Sequence, residues 1–234
     1  MVEYQPISRS NQRTVIMFSG GIDSTVLLCD VARQSSVPPI ALHFSGFAAT
    51  RETSAARAIA ERIGAEFVPV DVKSFVQACI PEGARPRDSD GRLVYGNSVV
   101  LSMSIAFAVA RDIPHVAVGL NADDALAFIE NRPEFIRQFR DGLELSRVNC
   151  RLLVPYHSWP KAKVLRRGAE LGIDLGFTFS CMTPTHDLHD GTCASCLDRQ
   201  AAFKAADMSD PTQYATGTIG CRPKKVEETD LQPP

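Results

Sequence analysis

Between Thr14 and Val31 the chain reads TVIMFSGGIDSTVLLCDV, two apolar runs separated by a serine, two glycines and an aspartate that can pack nothing. Thr14–Phe18 is a short β-branched run suited to a buried strand, and Ser24–Gln34 has helical spacing with Leu27, Leu28 and Val31 on one face. The same alternation recurs downstream. Pro39–Phe44, Glu66–Val72, His115–Leu120 and Asn149–Pro155 read as further strands, with helices over Thr53–Ile63, ending before Gly64, and over Val99–Ala110. Strands alternating with helices through short loops predict an α/β fold, a parallel sheet covered on both faces. Such sheets bind ligands outside the carboxyl ends of their strands, where both SGGIDS and NADD fall. Residues 73–95, with PEGARPRDSDGR, form a polar loop that is either a lid or an inert insertion, and the tail RPKKVEETDLQPP is expected to be disordered.

The 234 residues fit one domain, or one domain with a small appendage. A hydrophobic content of 44% beside 22% charged residues is that of a globular protein, and no apolar run approaches the roughly 18 residues of a membrane span. The start MVEYQPISRSNQR carries no signal-peptide pattern, so a cytoplasmic protein without membrane attachment is expected. A formal charge of -2 argues against a broad nucleic-acid-coating surface.

A strand ending in Ser19-Gly20-Gly21 and re-entering a helix through Ile22, Asp23, Ser24 and Thr25 lets main chain approach a ligand closely, because glycine has no Cβ. The turn aims free amides and the positive end of a helix dipole at that ligand, which favours phosphate. The hydroxyls of Ser19, Ser24 and Thr25 can add donors, and Asp23 can hold a Mg²⁺ that bridges phosphates. The pattern is neither a Walker A loop nor a Gly-x-Gly-x-x-Gly turn.

Seven cysteines without a secretion signal are not expected to form a disulfide framework. Cys193-x-x-Cys196 offers two thiolates on one turn and Cys181 lies upstream, so three sulfurs can meet one tetrahedral Zn²⁺. The fourth ligand is open among His186, His189, Asp190 and Cys221, with His189 preferred because Cys3His sites are common.

SGGIDST resembles the pyrophosphate loop of the N-type ATP pyrophosphatases, which split ATP between the α and β phosphates to adenylate an oxygen. Within that superfamily the chain resembles the 7-cyano-7-deazaguanine synthase family. The likeness rests on Ser19 to Ser24, on Asn121 to Asp124 in GLNADD, on Pro155 and Lys161 in VPYHSWPKAKVL, and on Thr178 to Cys181, Cys193, Cys196, Arg199 and Phe203. These segments keep family order over residues 14–211.

The resemblance implies a Rossmann-like (adenine nucleotide alpha hydrolase-like) parallel sheet over residues 1–175, a small zinc-binding C-terminal element over 176–222 and a tail over 223–234. It implies ATP and Mg²⁺, a small-molecule deazaguanine substrate and a homodimer. In the implied chemistry, 7-carboxy-7-deazaguanine is adenylated, ammonia gives the amide, and a second ATP drives dehydration to the nitrile. Asp23, Ser24 and Lys161 are the implied catalytic residues, Lys161 neutralising phosphate. Asn121, Asp123 and Asp124 join the binding loop, the two aspartates toward metal or substrate amines.

The chain also departs from the family. FSGFAATRET replaces a Tyr-Gly-Gln-Arg-His-like motif, Gly96-Asn97 replaces Arg-Asn, and Asp190 stands where a fourth cysteine is usual. These changes imply a divergent member whose amine acceptor is open: ammonia, a larger amine, or a protein amine in an antiviral defence or modification system. Two further alternatives remain: a tRNA-modifying thiolase or amidase of the same superfamily, which would need a basic face and an appended RNA-binding module that this sequence does not show, and a non-catalytic nucleotide-binding scaffold.

Overall fold

The structure is a computed structural model that describes residues 11–45, 50–79, 96–185 and 187–215. His186, Cys221, the tail, and residues 80–95 of the polar loop lie outside them. Five strands, β1 (Thr14–Met17), β2 (Ile40–Ser45), β3 (Glu66–Asp71), β4 (His115–Val118) and β5 (Arg151–Leu153), form one parallel sheet in the order β3-β2-β1-β4-β5. The helices are α1 (Ile22–Gln34), α2 (Thr50–Ile63), α3 (Lys73–Cys79), α4 (Gly96–Val109), α5 (Asp124–Ala127), α6 (Pro133–Leu145), α7 (Lys161–Glu170) and α8 (Ala194–Ala205). The chain leaves β1 toward β2 and β3, then returns to lay β4 on the other side of β1. The crevice between the ends of β1 and β4 is therefore the reversal point where such sheets bind ligands.

Period-two alternation sorts the strands into two cores. Val15, Ile40, Leu42, Val116 and Leu152 face Leu101 and Ile105 of α4 and Ile136 of α6. Ile16, Ala41 and Ala117 face the other way, onto Val26 and Leu27 of α1 and Val164 and Leu165 of α7. Burying each such side chain contributes about 1.5–3 kcal/mol before the entropy of ordering it is counted. Pro69 lies in β3, an edge strand, where its missing N–H breaks no inner ladder.

α1 is pinned to α7 by an ion pair whose aspartate is buried and whose arginine is part-exposed. Asp30 accepts from Arg167 Nη2 at 2.6 Å and Nε at 3.0 Å, and from the Tyr156 hydroxyl at 2.5 Å. Arg199 of α8, 1% exposed, donates to Thr212 Oγ1 at 2.6 Å, Thr178 Oγ1 at 2.8 Å and the Leu175 carbonyl at 2.8 Å. These bonds tie α8 to the segment that carries Cys181.

All five expected strands form, with ends shifted by one or two residues. Two details differ. Lys73–Cys79, expected as loop, is helical, and α6 was not anticipated although Phe135, Ile136, Phe139 and Leu143 recur at helical spacing behind Pro133 and pack on the second core.

Gly119, just after β4, lets α1 approach: a Cβ there would stand 2.8 Å from the Asp23 carbonyl oxygen and 3.1 Å from Ser24 N. Gly119→Ala should destabilise the protein by about 1–3 kcal/mol, because the first turn of α1 must retreat. Gly142→Ala, in α6 with open space around it, should instead raise stability by about 0.5–1 kcal/mol. Denaturant midpoints of the two variants would check the opposite signs.

Candidate active site

At the end of β1 the backbone turns through Gly20, whose φ of 85° suits glycine, and enters α1 with Gly21 as a cap that has no side-chain hydrogen bond. The first-turn amides of a helix have no intrahelical acceptor, so this end is left for a ligand. A Cβ on Gly20 would meet Ala56 Cβ of α2 at 3.0 Å, so the turn is packed from behind. Ser19 Oγ and Ser24 Oγ lie 3.1 Å apart, Ser19 accepts from Gly21 N at 3.2 Å, and Ser24 donates to the Gly21 carbonyl at 3.2 Å. The two hydroxyls brace the turn and line the cleft beside it.

Asn121, fully buried, organises the segment after β4. Its Oδ1 accepts from the N–H groups of Asp123 and Asp124 at 2.9 and 3.0 Å, and its Nδ2 donates to Asp23 Oδ1 at 3.0 Å. Asp123 Oδ2 accepts from Lys161 N at 2.9 Å, holding the start of α7. Lys161 Nζ stands 3.6 Å from Asp23 Oδ2 and hydrogen-bonds Asp198. At 13% side-chain exposure this is no solvated surface lysine. An ammonium on the first residue of a helix also opposes the helix dipole, so its position calls for anionic company.

Burial is the largest influence on the Asp23 carboxyl and pushes it upward, against Lys161 and Asn121, which stabilise its anion. Burial by itself would lower Lys161, but Asp23, Asp198 and Asp124 outweigh it and hold the ammonium charged. Asp124 is pushed up to about 7, by burial first and by Asp23 second.

The cleft of about 420 Å³ lies over the ends of β1 and β4. Of the residues expected to bind the cofactor, Ser19, Gly21, Asp23, Ser24 and Asp124 line it. Thr25 does not: its hydroxyl is buried within the fold, 1% exposed, and makes no hydrogen bond among the described residues. Ile22 is 3% exposed and belongs to the core, so it can contribute main chain but no side chain. Asn121 and Asp123 position the site from behind. Sequence reasoning missed Glu52 and Glu130, which line the cleft with Phe44, Phe128 and Asn97. Neither carboxylate belongs to a recognisable motif; only their tertiary placement reveals them.

In the C-terminal element the donor atoms of Cys181, Asp190, Cys193 and Cys196 lie within 4.8 Å of one another. His189 does not join them, which corrects the expectation that it completes the ligand set. Its ring packs between Phe179, 4.6 Å away, and Tyr214, 5.9 Å away, and Nε2 accepts from Ser180 N at 3.3 Å. Asp190 takes that place because its Oδ1 accepts from the N–H groups of Thr192 and Cys193 at 2.9 and 3.0 Å, at the start of α8. Those bonds, Cys193 N–H first and the Thr183 hydroxyl next, hold its carboxyl well below the usual carboxylate range. A carboxylate with three thiols is a donor set able to hold a metal ion. The element also touches the glycine turn, since Phe179 N donates to the Gly20 carbonyl at 3.0 Å.

Burial raises Glu52 to about 7, as it raises Asp124. An acid whose folded pKa exceeds its unfolded value keeps its proton longer when folded, so stability falls as pH rises between the two values. In ligand-free protein the denaturant midpoint should therefore fall between about pH 4.5 and pH 7, and Glu52→Gln should flatten part of that slope. Superimposable pH profiles for the two proteins would show that Glu52 titrates normally.

Comparison with known proteins gives the chain's family. The family profile of the queuosine biosynthesis protein QueC matches residues 13–207. A 7-cyano-7-deazaguanine synthase of Methanothrix thermoacetophila is 34% identical over 86% of this chain and 98% of its own length. One from Desulfatibacillum aliphaticivorans is 30% identical over 87% and 97%. Among solved structures, the U34-tRNA thiolase NcsA of Methanococcus maripaludis with its [4Fe-4S] cluster superposes with a TM-score of 0.52 at 18% identity, over 85% of this chain and 66% of that one. NMN synthetase from Francisella tularensis gives 0.53 at 16% identity, over 85% and 78%. These two likenesses are of fold. The matched span holds the glycine turn, the Asn121–Asp124 segment, Lys161 and the cysteine cluster together, and the chain belongs to the QueC family.

Proposed function

We propose that the protein is an ATP-dependent ligase that adenylates the carboxylate of 7-carboxy-7-deazaguanine, or a close relative, for attack by an amine. A carboxylate is a poor electrophile until one oxygen becomes a leaving group. In the proposed step a substrate oxygen attacks the α-phosphorus of ATP, the bond from that phosphorus to the bridging oxygen breaks, and pyrophosphate departs. The amine then attacks the acyl carbon, the carbonyl bond to AMP breaks, and the amine releases its proton.

The observation that carries the reading is the pairing of two helix starts. The uncapped first turn of α1 offers amides to the departing pyrophosphate, and Lys161, on the first residue of α7, is buried beside it. Catalysis here is largely positioning and neutralisation of developing charge. Mg²⁺ prefers oxygen ligands, and Asp23 and Asp124 are the oxygen donors in the cleft that would hold it and balance phosphate charge. Gly96 lies at the cleft wall and carries no side chain, which favours an acceptor larger than ammonia, including an amine on another protein.

The cysteine cluster fits Zn²⁺. Cys181 Sγ and Cys193 Sγ stand 3.9 Å apart. A tetrahedron with Zn–S bonds of about 2.3 Å has edges of about 3.8 Å, so this span suits one ion. A four-iron cluster, which seats each thiolate on a different iron, would spread the sulfurs further.

Incubation with ATP, Mg²⁺ and 7-carboxy-7-deazaguanine should release AMP and pyrophosphate. Lys161→Ala and Asp23→Ala should each reduce the rate by about 10²-fold or more. No AMP with any deazapurine acid would overturn the reading. Mass spectrometry of the product with ammonia, and with larger amines, would identify the acceptor. Metal analysis should return about one Zn²⁺ per chain from a colourless protein, and Cys196→Ser should lose both the metal and thermal stability. A brown, iron-bearing preparation would replace zinc with a cluster.

A further inference from the structure

Four acids, Asp23, Asp124, Glu130 and Glu52, are the charged groups lining the cleft among the described residues. Three of them are already engaged. Asp23 accepts from Asn121 Nδ2 at 3.0 Å and stands 3.6 Å from Lys161 Nζ. Asp124 Oδ2 accepts from Asn121 N at 3.1 Å. Glu130 Oε1 accepts from Ser98 N at 3.0 Å and from the Ser98 hydroxyl, in the first turn of α4. Donors of that kind stabilise a carboxylate and make it a poor proton acceptor.

Glu52 differs: burial is what shifts its carboxyl, and among the described residues it has no hydrogen bond and no cation partner. Its place follows from α2. Ala56, four residues on, is the residue that packs behind Gly20. Residues four apart share a helix face, so Glu52 lies about 6 Å along α2 from that contact, on the side turned to the glycine turn. A helix start favours the anion and burial favours the acid; burial prevails and raises the carboxyl to about 7. Nearby on β2, His43 meets Phe18 O at 2.9 Å and Thr53 Oγ1 at 3.0 Å, and burial pushes it down, so it is uncharged at neutral pH. Arg57 of α2 lies over the Phe67 ring.

An amine attacking an acyl group must shed a proton as the C–N bond forms, or it is expelled again. Lys161 cannot receive that proton, because the surrounding carboxylates hold it as an ammonium ion. A half-buried carboxylate that titrates near neutral pH suits the task. The position suits it as well, since the acyl carbon of an acyl adenylate is two bonds from the α-phosphorus and therefore close to the glycine turn.

We propose that Glu52 is the general base of the amine-transfer step, accepting the proton from the attacking nitrogen while the electron pair of the breaking C–O bond leaves with AMP. Release of the products lets the proton pass to water and restores the carboxylate. This rests on the ligase reading above and adds the group that receives the amine's proton. The acids of the cleft then divide the work, Asp23 and Asp124 at the phosphates and Glu52 at the nucleophile.

The test separates the two half-reactions. Exchange of labelled pyrophosphate into ATP, with Mg²⁺ and 7-carboxy-7-deazaguanine but no amine, reads adenylation. Amide formed from ammonium chloride reads the transfer. Hydroxylamine, a strong nucleophile that is largely unprotonated at neutral pH, reads a transfer that needs little help from a base. Glu52→Gln should keep exchange and hydroxamate formation within about threefold of the native protein and lose amide formation by about 10²-fold. In the native protein the ratio of amide to hydroxamate, corrected for free amine, should rise with pH and level off above about pH 7, where the carboxyl is ionised. A flat ratio overturns the assignment even if the variant does not fold. So does a variant that loses exchange together with amide formation, which would place Glu52 with the nucleotide, and so does one that loses neither. Native protein that exchanges pyrophosphate but forms no amide from ammonia overturns it too. If there is no exchange at all, the ligase reading itself fails and this assignment falls with it.

Discussion

The site exists because two helices begin at the same place. α1 and α7 are held side by side by the buried carboxylate of Asp30, which the part-exposed Arg167 guanidinium and the Tyr156 hydroxyl both engage. Removing one partner would strand a charge in the core, so this pair determines the relative setting of the two helices more than it adds net stability. From that setting follows the proximity of Asp23, in the first turn of α1, to Lys161, on the first residue of α7. Gly119 then allows the end of β4 to close up against α1, and Asn121 bonds Asp23 across the gap.

The cysteine element is continuous with this arrangement. Arg199 locks Thr178 and Leu175 to α8, and Phe179 in the next position donates to the Gly20 carbonyl of the glycine turn. The cluster of Cys181, Cys193 and Cys196 is thereby linked, through Arg199 and one main-chain bond, to the glycine turn at the end of β1. Arg199 and Phe203, two of the residues that carry the family likeness, act here in packing: Arg199 is held by three internal acceptors and Phe203 lies in the first core.

Much of the fold was legible because its signals are local. Buried strands in a parallel sheet read as short β-branched runs, and the Ser-Gly-Gly interruption marks a place where main chain must bend tightly and stay open. Helix boundaries were less legible. α6 announces itself with Pro133 and a helical stripe, yet the stripe has meaning only against the second core. Of the motif residues, Asp23, Ser24 and Asp124 line the cleft and Lys161 stands beside Asp23, while Thr25 is turned inward: whether a hydroxyl in the first turn of a helix faces cleft or core depends on the rotation of that helix over its sheet.

By itself the sequence determined the class of the fold, the position of the glycine turn at the end of a strand, and a thiol-rich element near the carboxyl end, since these depend on periodicity and on what glycine and cysteine can do. Tertiary structure decided which groups meet. His189 and Asp190 are neighbours in sequence and equally plausible as ligands by composition. Only the packing of one ring between Phe179 and Tyr214, and the bonds that the other side chain accepts from Thr192 and Cys193 N–H just ahead of α8, set the aspartate beside the sulfurs. Glu52 and Glu130 likewise reach one cleft from elements far apart along the chain, because a parallel sheet gathers the loops after all its strands at one edge.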